Sequence, residues 1–203
     1  MPAKDLQPEQ LIQQARSGGA AELDRLLRLY RNYLGLLAQT QFDGQLRVRI
    51  DPSDLVQETM MEAFRDFGAF GGSSEPELAA WLRRILVRNA ADQAKRHQAQ
   101  KRDVRREVSL EQAFDRSSLN VQQALAGNFA SPSAAAEHRE QAVVVADALA
   151  RLPDAQREVL VARHLQQKKF DEIAQQMGRS SSGVRTLWAR ALERLRNELK
   201  ETP

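Results

Sequence analysis

The sequence predicts an all-α protein made of two small helical domains joined by a flexible linker. Apolar residues recur at three- and four-residue spacing along most of the chain, and no strand-like alternation is sustained. Hydrophobic residues make up 42% of the 203 positions but aromatics only 5%, an aliphatic, Ala-rich balance that suits helices better than sheets. From Gln98 to about Pro132 the pattern decays into charge runs and scattered Ser, Asn and Gly, as in a tether. The division that follows is a domain at 8–100, a linker at 101–132 and a second domain at 133–203.

In the first domain Leu11, Ile12 and Ala15 form a short apolar face. After the Gly18-Gly19 break, Leu23, Leu26, Leu27, Tyr30, Tyr33, Leu34 and Leu37 continue a second, longer helix. Pro52 opens a third, with Ser53 as its expected cap and Asp54 in the first turn. Val56, Met60, Ala63, Phe64 and Phe67 are its expected buried face. Phe67 to Pro76 is a Gly-rich loop, and a fourth helix runs from about Glu77 through Trp81, Leu82, Ile85 and Leu86 to about His97.

In the second domain Pro153 punctuates the helical pattern after Leu149 and Leu152, and Val159, Leu160 and Leu165 lead into a helix-turn-helix at Phe170–Leu199. Ile173 and Met177 share one face, and Ala174 is small where a second helix must cross. Gly178 can take the positive φ of a tight turn. The cluster Ser180-Ser181-Ser182 supplies a hydroxyl cap for the next helix. Val184, Trp188, Leu192, Leu195 and Leu199 form its docking stripe, leaving Arg185, Arg190, Arg194 and Arg196 to the other faces. A groove-reading helix needs this division, although a plain helical hairpin shares it.

Composition narrows the chemistry. Lys and Arg number 30 against 27 Asp and Glu, so charge placement, not the net +3, must point to any polyanion. The absence of Cys excludes disulfides, zinc-thiolate sites and thiol catalysis. His97, His138 and His164 are scattered and there is no P-loop, so neither a metal, a cofactor nor nucleotide hydrolysis is expected. Met1–Gln10 is polar and no apolar run reaches membrane-spanning length, which leads us to expect a soluble, cytoplasmic, non-enzymatic protein.

Two charge constellations stand out. On the third helix Asp54, Glu58 and Glu62 lie four apart, with Gln57 beside them, forming an acidic stripe expected opposite the apolar face. It suits a solvated surface or a basic partner helix; an open polar stripe lacks the desolvation that acid–base catalysis needs. The fourth helix and its continuation carry nine cations between Arg83 and Arg106, opposed only by Asp92 and Asp103. Their natural partner is a phosphate backbone. Trp81 is expected to pack against Ile85, whereas Phe70 is the aromatic expected to be exposed for stacking on unpaired bases.

An acidic helix reading Asp-Pro-Ser-Asp-Leu-Val-Gln-Glu-Thr, a basic helix with Ala80-Trp81-Leu82, a linker and a C-terminal helix-turn-helix together resemble a bacterial sigma-70 family factor of the extracytoplasmic-function group. The resemblance covers almost the whole chain and implies a transcription initiation factor that binds core RNA polymerase and directs it to promoters. By resemblance, Asp54, Gln57 and Glu58 would contact the β′ clamp helices, with the β subunit a further partner. The stretch Trp81–Arg96 would meet the non-template strand of the minus-ten element, and Gly68–Pro76 would form part of a flipped-base pocket. Phe70, Arg83, Arg84, Arg88, Lys95 and Arg96 are the candidates there.

Leu152-Pro153, Arg157-Glu158-Val159-Leu160, Glu172-Ile173-Ala174 and Gly178 resemble the region that reads the minus-thirty-five duplex. Ser181, Ser182 and Arg185 are candidates for base edges, Thr186 lies beside them, and Arg190 suits phosphates. The chain departs from the family at Leu187, where a basic residue is usual, and at Ser180–Gly183. Many relatives are held inactive by an anti-sigma protein, which makes one a candidate partner. A stand-alone helix-turn-helix regulator binding an operator as a dimer is the alternative, and a helical adaptor without DNA contact would leave the basic helix unexplained.

Overall fold

The computed structural model describes residues 8–41, 51–97 and 137–200, and among these every regular element is helical. The chain divides into two units, Met1–Asp115 and Arg116–Pro203. The expected linker at 101–132 lies outside the described residues, as does Ser133.

Four helices make the N-terminal unit. α1 (Pro8–Gly18) and α2 (Ala20–Gln41) are joined at Gly19, whose φ of 100° only glycine adopts without strain. α3 (Pro52–Asp66) is capped by Asp51 rather than Ser53: the Asp51 carboxylate accepts the Ser53 backbone N–H at 2.7 Å, with Pro52 at the helix start. The chain before Pro52 is pushed toward extended geometry, so the residue preceding the proline, not the one following it, occupies the cap position.

A 3₁₀ turn at Phe67–Ala69 leads to the loop before α4 (Glu75–His97). α2 packs on α1, α3 and α4, and α3 packs on α4. Ile12, Leu26, Leu27, Leu34, Leu37, Leu55, Leu78, Leu82 and Leu86 are fully buried between them. Each such side chain contributes about 2 kcal/mol relative to exposure. A buried polar pair lies within the α3–α4 seam: Asn89 Nδ2 donates to Thr59 Oγ1 at 3.4 Å, and that hydroxyl donates to the Leu55 carbonyl at 2.8 Å.

The expected buried face of α3 needs correction. Leu55, Val56, Thr59 and Ala63 are buried, but Phe64 is 41% exposed and Met61 66%. Apolar residues at 60, 61, 63, 64 and 67 cover more of the helix circumference than α2 and α4 can roof.

The C-terminal unit contains α5 (Glu137–Ala150), α6 (Asp154–Leu160), a π turn at Val161–Leu165, α7 (Phe170–Met177) and α8 (Ser181–Lys200). α8 packs on α5, α6 and α7. Val159, Ile173, Val184 and Ala191 are fully buried at the centre. The π turn arises where Gln166 N–H bonds to the Val161 carbonyl five residues back, at 3.0 Å. Arg163 Nη1 donates to the Lys168 carbonyl at 3.0 Å and fastens the turn to the start of α7.

Candidate functional site

Three surfaces gather the candidate residues, two on the N-terminal unit and one on the C-terminal unit. The first is the outer face of α3. Asp54 and Gln57 are exposed there, while Glu58 is half-buried and accepts from Gln93 Nε2 at 2.6 Å. Glu62 is paired with Arg88 across the α3–α4 seam. The acidic stripe therefore does not run along open solvent: its two later carboxylates turn onto α4 and tie the helices together, leaving Asp54 on the open side. The outward face instead reads Asp54, Gln57, Met61 and Phe64, at spacings of three, four and three. Met61 and Phe64 are the residues that sequence reasoning missed on this surface, and counting in helical steps from Asp54 would have found both.

The second surface is formed by α4 and the Gly-rich loop before it. Arg84 and Arg88 are exposed, Trp81 and Arg83 half-buried, so Trp81, Arg84 and Arg88 follow one helical face. Arg88 is engaged with Glu62, and Arg83 also has a partner. Lys95 and Arg96 lie in the last turns of α4, their side chains outside the described residues.

Phe70 is not exposed. Its ring lies 5.3 Å from Trp81 and 5.8 Å from Phe67 (centroid distances), and the Arg16 guanidinium covers it at 5.7 Å. A seat formed by the Phe67 and Trp81 rings is available beside the loop, and burying the Phe70 ring there removes more apolar area from water than pointing it outward. Trp81, not Phe70, is the aromatic that reaches the surface.

The loop itself is capped at its far end. Glu77 accepts the backbone N–H groups of Ser73 and Ser74 at 2.8 and 3.0 Å and the Ser74 hydroxyl at 2.8 Å. Those bonds hold the Glu77 carboxyl below the usual carboxylate range. Ser74-Glu75-Pro76-Glu77 thus starts α4 with the carboxylate half of a capping box.

The third surface is the helix-turn-helix. Gly178 has φ 61°, Arg179 N–H bonds to the Ala174 carbonyl at 2.9 Å and Gly178 N–H to that of Gln175 at 3.3 Å, closing α7 with a Schellman motif. Ser180 caps α8, its Oγ accepting Gly183 N–H at 3.1 Å. Ser181 is half-buried and donates to Asp171 at 2.7 Å, so its hydroxyl is committed inside the motif. Ser182, Arg185, Thr186 and Arg190 are exposed, and Thr186 donates to the Ser182 carbonyl at 3.1 Å.

Trp188 is drawn inward. Its Nε1 donates to His164 Nε2 at 3.0 Å, and it meets Phe170 edge-on at 5.6 Å. Guanidiniums of Arg163 and Arg185 lie 4.9 and 5.5 Å from the Phe170 ring centroid. The Arg185 guanidinium is thereby held beside the Phe170 ring while the residue as a whole stays exposed.

Residues 21–100 match the family described as Sigma-70 region 2, and residues 142–195 match Sigma-70, region 4. An RNA polymerase sigma-E factor of Streptomyces avermitilis is 29% identical over 152 residues, covering 74% of this chain and 72% of the relative. The ECF RNA polymerase sigma factor SigM of Mycobacterium tuberculosis is 27% identical over 179 residues, covering 88% and 78%. With these matches, the two helical units define a transcription initiation factor, which binds core RNA polymerase and directs it to promoter DNA. The chain belongs to the sigma-70 family, in its extracytoplasmic-function group. Among the described residues no helix is long and apolar enough to cross a membrane.

Proposed function

We propose a division of labour in which α3 docks on core polymerase, α4 and its loop receive melted DNA, and α8 selects the site. The observation that carries the reading is the outward face of α3. Two large apolar side chains, Met61 and Phe64, stand exposed one and two helical turns beyond Gln57. An apolar centre beside acidic and amide groups is the composition of a docking surface for a basic, amphipathic partner helix. The β′ clamp helices are that partner in this reading, with Glu58 and Glu62 bracing α3 from behind.

On α4, Arg84 and Trp81 provide a cation and a ring edge for an unpaired strand, with Lys95 and Arg96 continuing the basic helix. Arg88 reaches phosphate only by leaving Glu62, and Phe70 supports the loop from beneath. On α8, Ser182 and Arg185 face base edges, Thr186 lies between them, and Arg190 neutralises phosphate. The factor catalyses no reaction of its own and works in the cytoplasm alongside polymerase. Pull-down with core polymerase, followed by run-off transcription on a promoter library, tests the whole scheme. A stand-alone regulator would instead footprint DNA without polymerase.

A further inference from the structure

The Gly-rich loop between α3 and α4 is held by a residue of α1. Arg16 Nη2 donates to the Phe70 carbonyl at 3.0 Å and also to the Gly72 carbonyl. Its guanidinium meanwhile lies over the Phe70 ring, which rests on Phe67 and Trp81. Gly72 has no room for a side chain: a Cβ there would lie 2.7 Å from the Phe70 ring and 2.8 Å from Glu77 Cβ. Five residues on, Glu77 fixes Ser73 and Ser74. The backbone from Phe70 to Ser74 is therefore set before any ligand arrives, with Gly71 exposed at its crest. A preformed loop loses less conformational freedom on binding than one that must order.

We propose that Arg16 is a positioning residue for single-strand capture, holding the 70–74 backbone in the shape that receives an unpaired base. The inference rests on the reading of Gly68–Pro76 as the base-receiving loop. A guanidinium suits the task because it donates to two carbonyls from one nitrogen while its planar, delocalised cation stays over the ring, whereas an ammonium is a compact point charge.

The test assembles holoenzyme from core polymerase and full-length Arg16→Gln, Arg16→Lys or Gly72→Ala protein. The probe is the single strand that wild-type holoenzyme enriches from a randomised pool. Arg16→Gln is expected to weaken strand binding about tenfold and Arg16→Lys about threefold, with core affinity and upstream duplex binding unchanged. Full strand affinity in Arg16→Gln alongside a weakened Gly72→Ala would overturn the role of Arg16 and keep the loop reading. Full strand affinity in both variants would overturn the loop reading as well. Parallel loss of core and strand binding would reduce Arg16 to a fold-stabilising residue. If Arg16→Gln fails to fold, Arg16→Lys carries the same comparison.

Discussion

Trp188 Nε1 donates to His164 Nε2 across 3.0 Å, so α8 is fastened to the π turn only while that imidazole nitrogen keeps its lone pair. The two rings stack with centroids 6.0 Å apart. Trp188 touches Phe170, and Phe170 lies against Arg185, so the bond steadies the residue proposed to read base edges.

Acid should loosen this seat. Burial, and then the neighbouring Arg163 charge, lower the His164 pKa below its ordinary 6.5. A depressed folded pKa means the neutral form is favoured in the fold. The stabilisation is then complete above about pH 6.5 and is lost as pH falls through the lower folded value. Thermal midpoints of the C-terminal unit, followed by Trp188 fluorescence in a Trp81→Phe background, should fall between pH 7 and 5. His164→Gln retains an acceptor without titrating and should flatten that slope; an unchanged slope would remove His164 as its source.

The outward face of α3 predicts a clean separation of binding from folding. Asp54 is exposed in the first turn, so Asp54→Lys costs the helix only about 0.5 kcal/mol through its dipole. Against a basic partner the same reversal should cost about 2 kcal/mol, roughly 30-fold in affinity for core polymerase. Phe64→Lys should weaken core binding comparably, because a charge replaces an exposed apolar contact. Titration of fluorescent protein with core enzyme, alongside circular dichroism, checks both. Wild-type affinity in Asp54→Lys would remove α3 from the interface.

What could be read from the residues was local. Helical spacing located the buried faces of α1 and α2, because Leu11, Ile12, Ala15, Leu23, Leu26, Leu27, Tyr30, Tyr33, Leu34 and Leu37 are all buried. Gly178 likewise announced its own left-handed turn. What failed was long-range. The burial of Phe70 depends on Arg16, 54 residues earlier, and the pairing of Glu62 with Arg88 on the register between two helices. Phe64 was misplaced because a helix apolar around much of its circumference does not reveal which part its neighbours cover. The π turn left no trace, since one extra residue within a single turn does not disturb the spacing on either side.

The helix-turn-helix predicts unequal roles for adjacent serines and a distinct one for Arg185. Ser181 is spent on Asp171, so Ser181→Ala should cost about 1 kcal/mol of stability and leave sequence preference intact. Ser182 is exposed, and Ser182→Ala should change preference with little effect on stability. Arg185→Ala should cost about 1–3 kcal/mol at one position of the upstream element if it reads a base bidentately. Holoenzyme binding to a library of single-substitution duplexes separates these outcomes. A uniform loss across all sequences in Arg185→Ala would make it a phosphate contact.

The polar pair within the α3–α4 seam should fix the register that brings Glu62 to Arg88. Thr59 is fully buried, and its hydroxyl serves both the Leu55 carbonyl and the Asn89 amide. Thr59→Val keeps the volume but strands the amide, which should cost about 1–2 kcal/mol in urea unfolding. Replacing both partners, Thr59→Val with Asn89→Leu, should recover much of that loss, because no buried donor is then left unmet. If the pair sets register, the double variant should still bind core polymerase less well than wild type, its stability restored but its α3 face displaced. Full recovery of both stability and core affinity would show that the leucine core alone aligns the two helices.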